Sequence, residues 1–178
     1  MAIIKKKKKN IPLAKRINRM AKIDQKMRHN VEKTGIWNHK IDRQNTEEMK
    51  KIIKKYGWPT INKVGKKTSF NAWLLVQHAD HDLKFQKKCL KLLKDEYNKN
   101  PKNIDKANIA YLTDRILVAE KKKQIFGTQF YINKKNKLIP RPIKNKKAIN
   151  QRRKEYNLEP IEKYIMDAKK YIPPPKKS

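Results

Sequence analysis

The stretch VQHADHD, residues 76 to 82, brings two imidazoles and two carboxylates together in a chain otherwise saturated with lysine. A histidine beside a carboxylate is suited to proton transfer, because the acid group orients the ring while the other ring nitrogen exchanges a proton. On one continuous helix His78 and Asp82 stand four apart and share a flank. Gln77 and Asp80 then lie on another side, and His81 points away from the core. His78, Asp80 and Asp82, joined by Asp114 from further along, form the candidate catalytic set of a hydrolase-like or transferase-like reaction. The plainer alternative is a core histidine hydrogen-bonded to its helix neighbour.

Metal and thiol chemistry find less support. The spacing is not HExxH and the helix offers at most two ligands, so no metal site and no cofactor is assigned. Cys89 is the single cysteine, which excludes an intramolecular disulfide and a thiolate zinc cluster. On a straight helix it lies about 16 Å from His78, too far for a dyad. The GTQ stretch at 127–129 lacks the further glycines and the lysine of a phosphate loop.

A second set of residues could bind rather than react. The 178 residues include 48 Lys and Arg against 16 Asp and Glu, a formal net charge of +32. Residues 1–40 hold 13 basic residues and 2 acids, and residues 131–178 hold 15 and 4. Repulsion on this scale opposes compaction unless a polyanion neutralises it, and a phosphate backbone is the obvious one. The candidate nucleic-acid contacts are Lys5, Lys6, Lys7, Lys8, Lys9, Arg16, Arg19, Lys146, Lys147, Arg152 and Arg153. Lysine supplies sequence-blind attraction, and arginine can hold phosphate in bidentate fashion. No RNA-recognition, zinc-finger or homeodomain signature is present, so base-specific reading is not expected.

The elements that must position these residues are mostly helical. Leu13, Ile17, Met20, Ile23 or Asp24, Met27 and Val31 recur at helical spacing, opposite a basic face. TGIWNH reads as a loop, and Thr46, followed by Glu47 and Glu48, reads as the start of a helix ending at Gly57. A long helix is expected from about Ser69 to Asn98, with Ala72, Val76, Ala79, Leu83, Leu90 and Leu93 as its core stripe. Asp105 caps a further helix facing inward through Ile109, Leu112, Ile116 and Ala119. QIFGTQFYI, NKKN and KLIPRPI suggest a small hairpin, its prolines at an edge or exit. Residues 147–157 and a segment opening at Pro160 are two further helices, before a Pro/Lys tail.

These motifs also occur in a telling order: GWPT (57–60), VG (64–65), AWLLVQHADHD (72–82), FQKKCL (85–90), AYLTDR (110–115), QxxGTQF (124–130), PRPI (140–143), RR (152–153) and LEPIEKY (158–164). In this order the chain resembles, over about residues 46–165, a bacterial family catalogued as a domain of unknown function, number six-six-two-four. The resemblance implies a mainly α-helical domain with a small β element and a shared pocket or surface, and no particular reaction. Trp58, Gln77, Arg115, Gln124, Gly127, Thr128 and Gln129 are the pocket residues it implies. The chain departs from the family pattern at Lys66 and Lys67, where an acid usually follows VG, and at Phe126, where tyrosine is usual.

The expected architecture is a mainly α, compact helical domain with one small β-hairpin and basic terminal extensions. Its parts are a basic extension with an amphipathic helix (1–40), a helical domain (41–168) and a Pro/Lys tail (169–178). The expected function is packing of a polyanion, RNA or DNA, within a ribonucleoprotein particle or virion, alongside protein partners. The alternatives are an enzyme built on His78, Asp80, Asp82 and Asp114, and an interaction module for an acidic protein. No run approaches the roughly 20 apolar residues of a membrane span, and the N-terminus does not read as a secretory signal. An intracellular setting, or the inside of a viral particle, is therefore expected.

Overall fold

The computed structural model describes residues 9–135 and 137–170. The chain folds as two compact units, Met1–Asp105 and Lys106–Ser178. Among the described residues it is mainly helical, with one two-stranded antiparallel sheet.

In the first unit α1 spans Ile11–Thr34 and α2 spans His39–Tyr56. The Asn10 side chain caps α1 by accepting from the Leu13 N–H at 3.1 Å, with Pro12 in the first turn. Gly35, at φ 71°, closes the helix. Leu13, Ile17, Met20 and Met27 are buried as expected, and Asp24, not Ile23, occupies the intervening core position. The helix thus presents its apolar stripe to α2 and to the helix over Lys66–Gln77. The expected boundary near residue 40 falls inside α2, which starts seven residues before Thr46. Asn38 caps α2, and Thr46 sits within it, its hydroxyl donating to the Asp42 carbonyl.

The expected long helix from Ser69 to Asn98 is two helices, α4 (Lys66–Gln77) and α5 (Leu83–Lys99), preceded by the single turn α3 (Ile61–Val64). Residues 78–82 break it because Asp82 is a better cap than a mid-helix residue. Its Oδ1 accepts from the Phe85 N–H at 2.9 Å. Gln86 bridges back across the break, donating to the Val76 and Gln77 carbonyls at 3.3 and 3.1 Å. The break resets the helical phase. Ala72, Val76, Ala79 and Leu93 are buried as expected, but α5 otherwise buries Phe85, Gln86 and Cys89, while Leu83 and Leu90 are half-exposed.

In the second unit α6 covers Lys106–Ala119 and buries Ile109, Leu112 and Ile116, leaving Ala119 exposed. The hairpin is shorter than its motif: β1 is Phe130–Ile132 and β2 is Leu138–Pro140, with Tyr131 opposite Ile139. Pro140 ends the second strand, where its missing N–H costs no ladder bond. Helices α7 (Ile149–Glu155) and α8 (Ile161–Lys169) complete the unit. Gly127 takes φ 71°, and a Cβ there would come within 2.8 Å of the Ile161 side chain. Both conformation and space demand glycine. The tail from residue 171 lies outside the described residues.

Candidate functional site

His78 stands at the C-terminal end of α4 and turns toward α1. Its Nδ1 lies 2.9 and 3.1 Å from the two oxygens of Asp24. Asp82, its expected partner, is engaged elsewhere as the α5 cap and in an ion pair with Lys50 at 2.8 Å. The Lys50 ammonium and the Phe85 N–H hold Asp82 below the usual carboxylate range. A helix break separates His78 and Asp82, so four-residue spacing no longer places them on one flank.

Asp24 is fully buried and belongs to a network. Gln25 Nε2 donates to it at 2.8 Å, and Arg28 approaches both of its oxygens at 3.3 Å. Arg28 Nη2 donates to Asp42 Oδ1 at 2.8 Å, and the Trp37 indole N–H donates to Asp42 Oδ2 at 3.0 Å. The guanidinium also covers the Trp37 ring, 4.8 Å from its centroid. Burial pushes the Asp24 carboxyl up, but His78 and Arg28 outweigh it and hold the group below its ordinary value.

This geometry selects the histidine tautomer. Arg28 Nε also lies 2.9 Å from His78 Nδ1, and Nδ1 cannot both accept from Arg28 and donate to Asp24. An unprotonated Nδ1 would face carboxylate lone pairs at 2.9 Å, a repulsive contact. Nδ1 therefore carries the proton, and Arg28 Nε is satisfied by Asp24. Nε2 is left as the atom that gains or loses a proton, on a side chain 14% exposed.

The other motif residues divide between structure and surface. Asp80 is exposed and accepts from Gln86 Nε2 at 3.2 Å, and His81 is exposed. Trp58 is buried beside the end of α2, and the Gln77 side-chain oxygen is buried without a hydrogen-bond partner. Asp114, Arg115, Gln124, Gly127, Thr128 and Gln129 belong to the second unit. There Asp114 accepts from the backbone N–H groups of Ile125 (2.7 Å), Phe126 (3.0 Å) and Thr128 (3.0 Å), and from the Thr128 hydroxyl (3.1 Å). Gln124 donates to the carbonyls of Gln129 and Arg141 and accepts from the Gln129 N–H. These two side chains replace the secondary-structure bonds that the 124–129 loop lacks. Arg115 is half-buried.

The expected phosphate-binding arginines are largely committed. Arg153 is buried, stacks over the Tyr164 ring and donates to the Phe126 and Glu159 carbonyls, both at 2.5 Å. Burial depresses its affinity for a proton. Arg152 donates to the carbonyls of Ile125, Lys144 and Asn145. Arg16 pairs with Glu48. Lys9, Arg19, Lys146 and Lys147 are exposed, whereas Lys5, Lys6, Lys7 and Lys8 lie outside the described residues.

Asp24, Arg28, Trp37 and Asp42 were not among the expected site residues. One signal pointed to Asp24: an acid on the apolar stripe of a basic helix must be paired if it is buried. Nothing local marks Asp42 or Trp37, because their roles are set by α1. Cys89 is buried in α5 and its thiol is pushed up to about 12 by loss of solvent. Among the described residues no group of three or more His, Cys, Asp and Glu could hold a metal ion, and no helix is long and apolar enough to cross a membrane. Clefts of about 420 Å³, lined by Asn10, Thr60 and Asn103, and about 320 Å³, lined by Ile143 and Ile161, lie one in each unit and do not include His78.

Comparison with curated proteins and with solved structures found no match. A family model described as a family of unknown function (DUF6624) matches residues 12–171, taking in α1 and its Asp24 and Arg28 as well as the expected stretch from residue 46. The chain belongs to that family.

Proposed function

We propose that the protein binds a polyanion, RNA or DNA, as a packing component of a ribonucleoprotein particle or virion. The observation that carries this reading is how the fold distributes charge. Among the residues whose exposure is described, Asp24, Asp42 and Asp114 are buried, and the exposed acids are Glu47, Asp80, Asp105, Glu155, Glu159 and Glu162. Basic side chains, by contrast, are exposed along nearly every element, including Lys121 to Lys123, Lys134, Lys135, Lys146 and Lys147. The accessible surface is thus more cationic than the composition, and it attracts phosphate without reading sequence. Because Arg152 and Arg153 are spent on carbonyls, the contacts rest mainly on lysine, with Arg19 the exposed arginine that carries no such commitment among the candidates, which favours affinity over specificity. Such a role fits an intracellular site or the interior of a viral particle.

The test is fluorescence anisotropy of labelled single-stranded RNA and duplex DNA across a salt series. The expected result is a logarithmic slope of about −0.7 to −0.9 per phosphate contact, with several contacts. An acidic polypeptide of equal length serves as the competitor. Salt-insensitive binding, or preference for the polypeptide over both nucleic acids, would favour the interaction-module reading and overturn this one.

A further inference from the structure

From Lys121 to Lys154 the chain runs without an Asp or Glu, its longest such stretch, while 13 Lys and Arg fall within it. The hairpin of the second unit stands in the middle of this stretch. Its turn is tied by Asn133, whose Oδ1 accepts from the N–H groups of Lys135 and Lys137 at 3.0 and 2.9 Å. Lys134, Lys135 and Lys137 at that turn, and Lys144 beyond β2, are exposed, and no carboxylate pairs with them among the described residues.

Alternation along β1 decides which face of the hairpin is open. Phe130 packs against Tyr164 of α8, with ring centroids 5.5 Å apart, so its neighbour Tyr131 points to the opposite face. There Tyr131 stays 42% exposed, and the Arg141 guanidinium lies 5.7 Å from its ring centroid. The register makes the pair: Tyr131 is opposite Ile139, and Arg141 follows two residues later on the same face. Arg141 is exposed, and its side chain makes no hydrogen bond or ion pair among the described residues. The other arginines that cover aromatic rings are not available in this way. Arg28, over Trp37, is held by Asp24 and Asp42, and Arg153, over Tyr164, is buried.

The base of the hairpin is fixed from behind. Gln124 Nε2 donates to the carbonyls of Gln129 and Arg141 at 3.0 and 2.7 Å, and the Arg141 N–H donates to the Gln129 carbonyl at 3.0 Å. The ring and the cation are thus carried on an ordered platform, which lowers the entropy lost on binding.

An exposed aromatic among unpaired cations suits one form of polyanion. In a duplex the bases stack on each other and show a protein only their edges, whereas a single strand offers base faces beside its phosphates. We propose that the outer face of the hairpin binds single-stranded nucleic acid, with a base stacked on Tyr131 and a neighbouring phosphate on Arg141. Lys134, Lys135 and Lys137 attract the flanking backbone. The site presupposes the polyanion binding proposed above and adds the form of nucleic acid it prefers.

The probes are labelled oligouridylate and oligothymidylate of about 16 nucleotides and a duplex of equal length, read by anisotropy with the full chain. Tyr131→Leu keeps apolar bulk and removes the ring. It is expected to weaken binding to the single strands about tenfold, to leave the duplex within about twofold, and to keep the salt slope, since no charge is lost. Tyr131→Phe, which keeps the ring, is expected to bind as the unchanged protein does. A loss confined to one of the single strands supports the site and names the sugar it takes. Binding of both forms with Tyr131→Leu silent, or equally weakened on strand and duplex, overturns this site and leaves the polyanion reading standing. Absence of binding to any of the three probes at low salt overturns both. If Tyr131→Leu fails to fold by circular dichroism, Arg141→Gln decides: the single-strand salt slope is expected to fall by about one phosphate contact, and an unchanged slope overturns the site.

Discussion

His78 Nδ1 and Asp24 Oδ2 lie 2.9 Å apart although 54 residues separate them in the chain. One comes from the end of α4 and the other from the middle of α1, so the contact fastens a helix end to the helix packed against it. Asp24 is buried with two cationic or polarisable partners, which is the arrangement a carboxylate needs to remain ionised away from water.

Removing that carboxylate should destabilise the first unit. Asp24→Ala leaves Arg28 short of a partner and His78 without its acceptor, at a cost of about 3–5 kcal/mol by the measure of broken buried pairs. Urea unfolding followed by tryptophan fluorescence reports it, since Trp58 and Trp73 are buried in this unit. An unchanged midpoint would show that the network contributes nothing to stability.

The same pair sets an acid limit. Asp24 is held below its ordinary value of 3.8, so its stabilising contribution is complete above that pH and is lost as pH falls through the lower folded value. Wild-type protein should therefore lose stability on acidification below about pH 4, and Asp24→Asn should lose less over that interval. Parallel pH profiles for the two proteins would contradict this assignment.

Cys89 is expected to be inert while the protein is folded. With the thiol at about 12 and the side chain buried, almost no thiolate exists at pH 8. Ellman's reagent should react only as fast as the helix opens, and fully in denaturant. Immediate reaction of the native protein would disprove the burial.

Arg153 and the lysines 146 and 147 should separate stability from binding. Arg153→Ala strands the Phe126 and Glu159 carbonyls and is expected to cost about 3 kcal/mol. Lys146→Gln with Lys147→Gln touches exposed side chains only, so the melting temperature should hold. The salt slope of nucleic-acid binding should then fall by up to about two phosphate contacts. The opposite pattern would exchange their roles.

Asp114→Ala is expected to loosen the 124–129 loop, because it leaves the N–H groups of Ile125, Phe126 and Thr128 without an acceptor. Amide exchange at these positions should accelerate by at least about tenfold, equivalent to about 1.4 kcal/mol. Unaltered protection would show that the loop is held by Gln124 alone.

Much of this protein is determined by local sequence. Asn10 and Pro12 start α1, Gly35 and Gly57 end two helices, and Gly127 has the conformation its loop requires. Helical periodicity marked Leu13, Ile17, Met20 and Met27 of α1 and Ile109, Leu112 and Ile116 of α6 as buried, and the lysine excess is a property of composition. Such features are readable because each depends on residues a few positions apart. Phase across the 78–82 break was not readable, since Asp82 could serve as a helical residue or as a cap, and packing chose the cap. Nor were the partners of His78, Asp114 and Arg153, which come from 54, 11 to 14, and 6 to 27 residues away. The sequence alone determined that an imidazole and several carboxylates were present. Only the tertiary structure decided which of them meet, because hydrogen bonds are made across packed elements, and burial enforces the pairing.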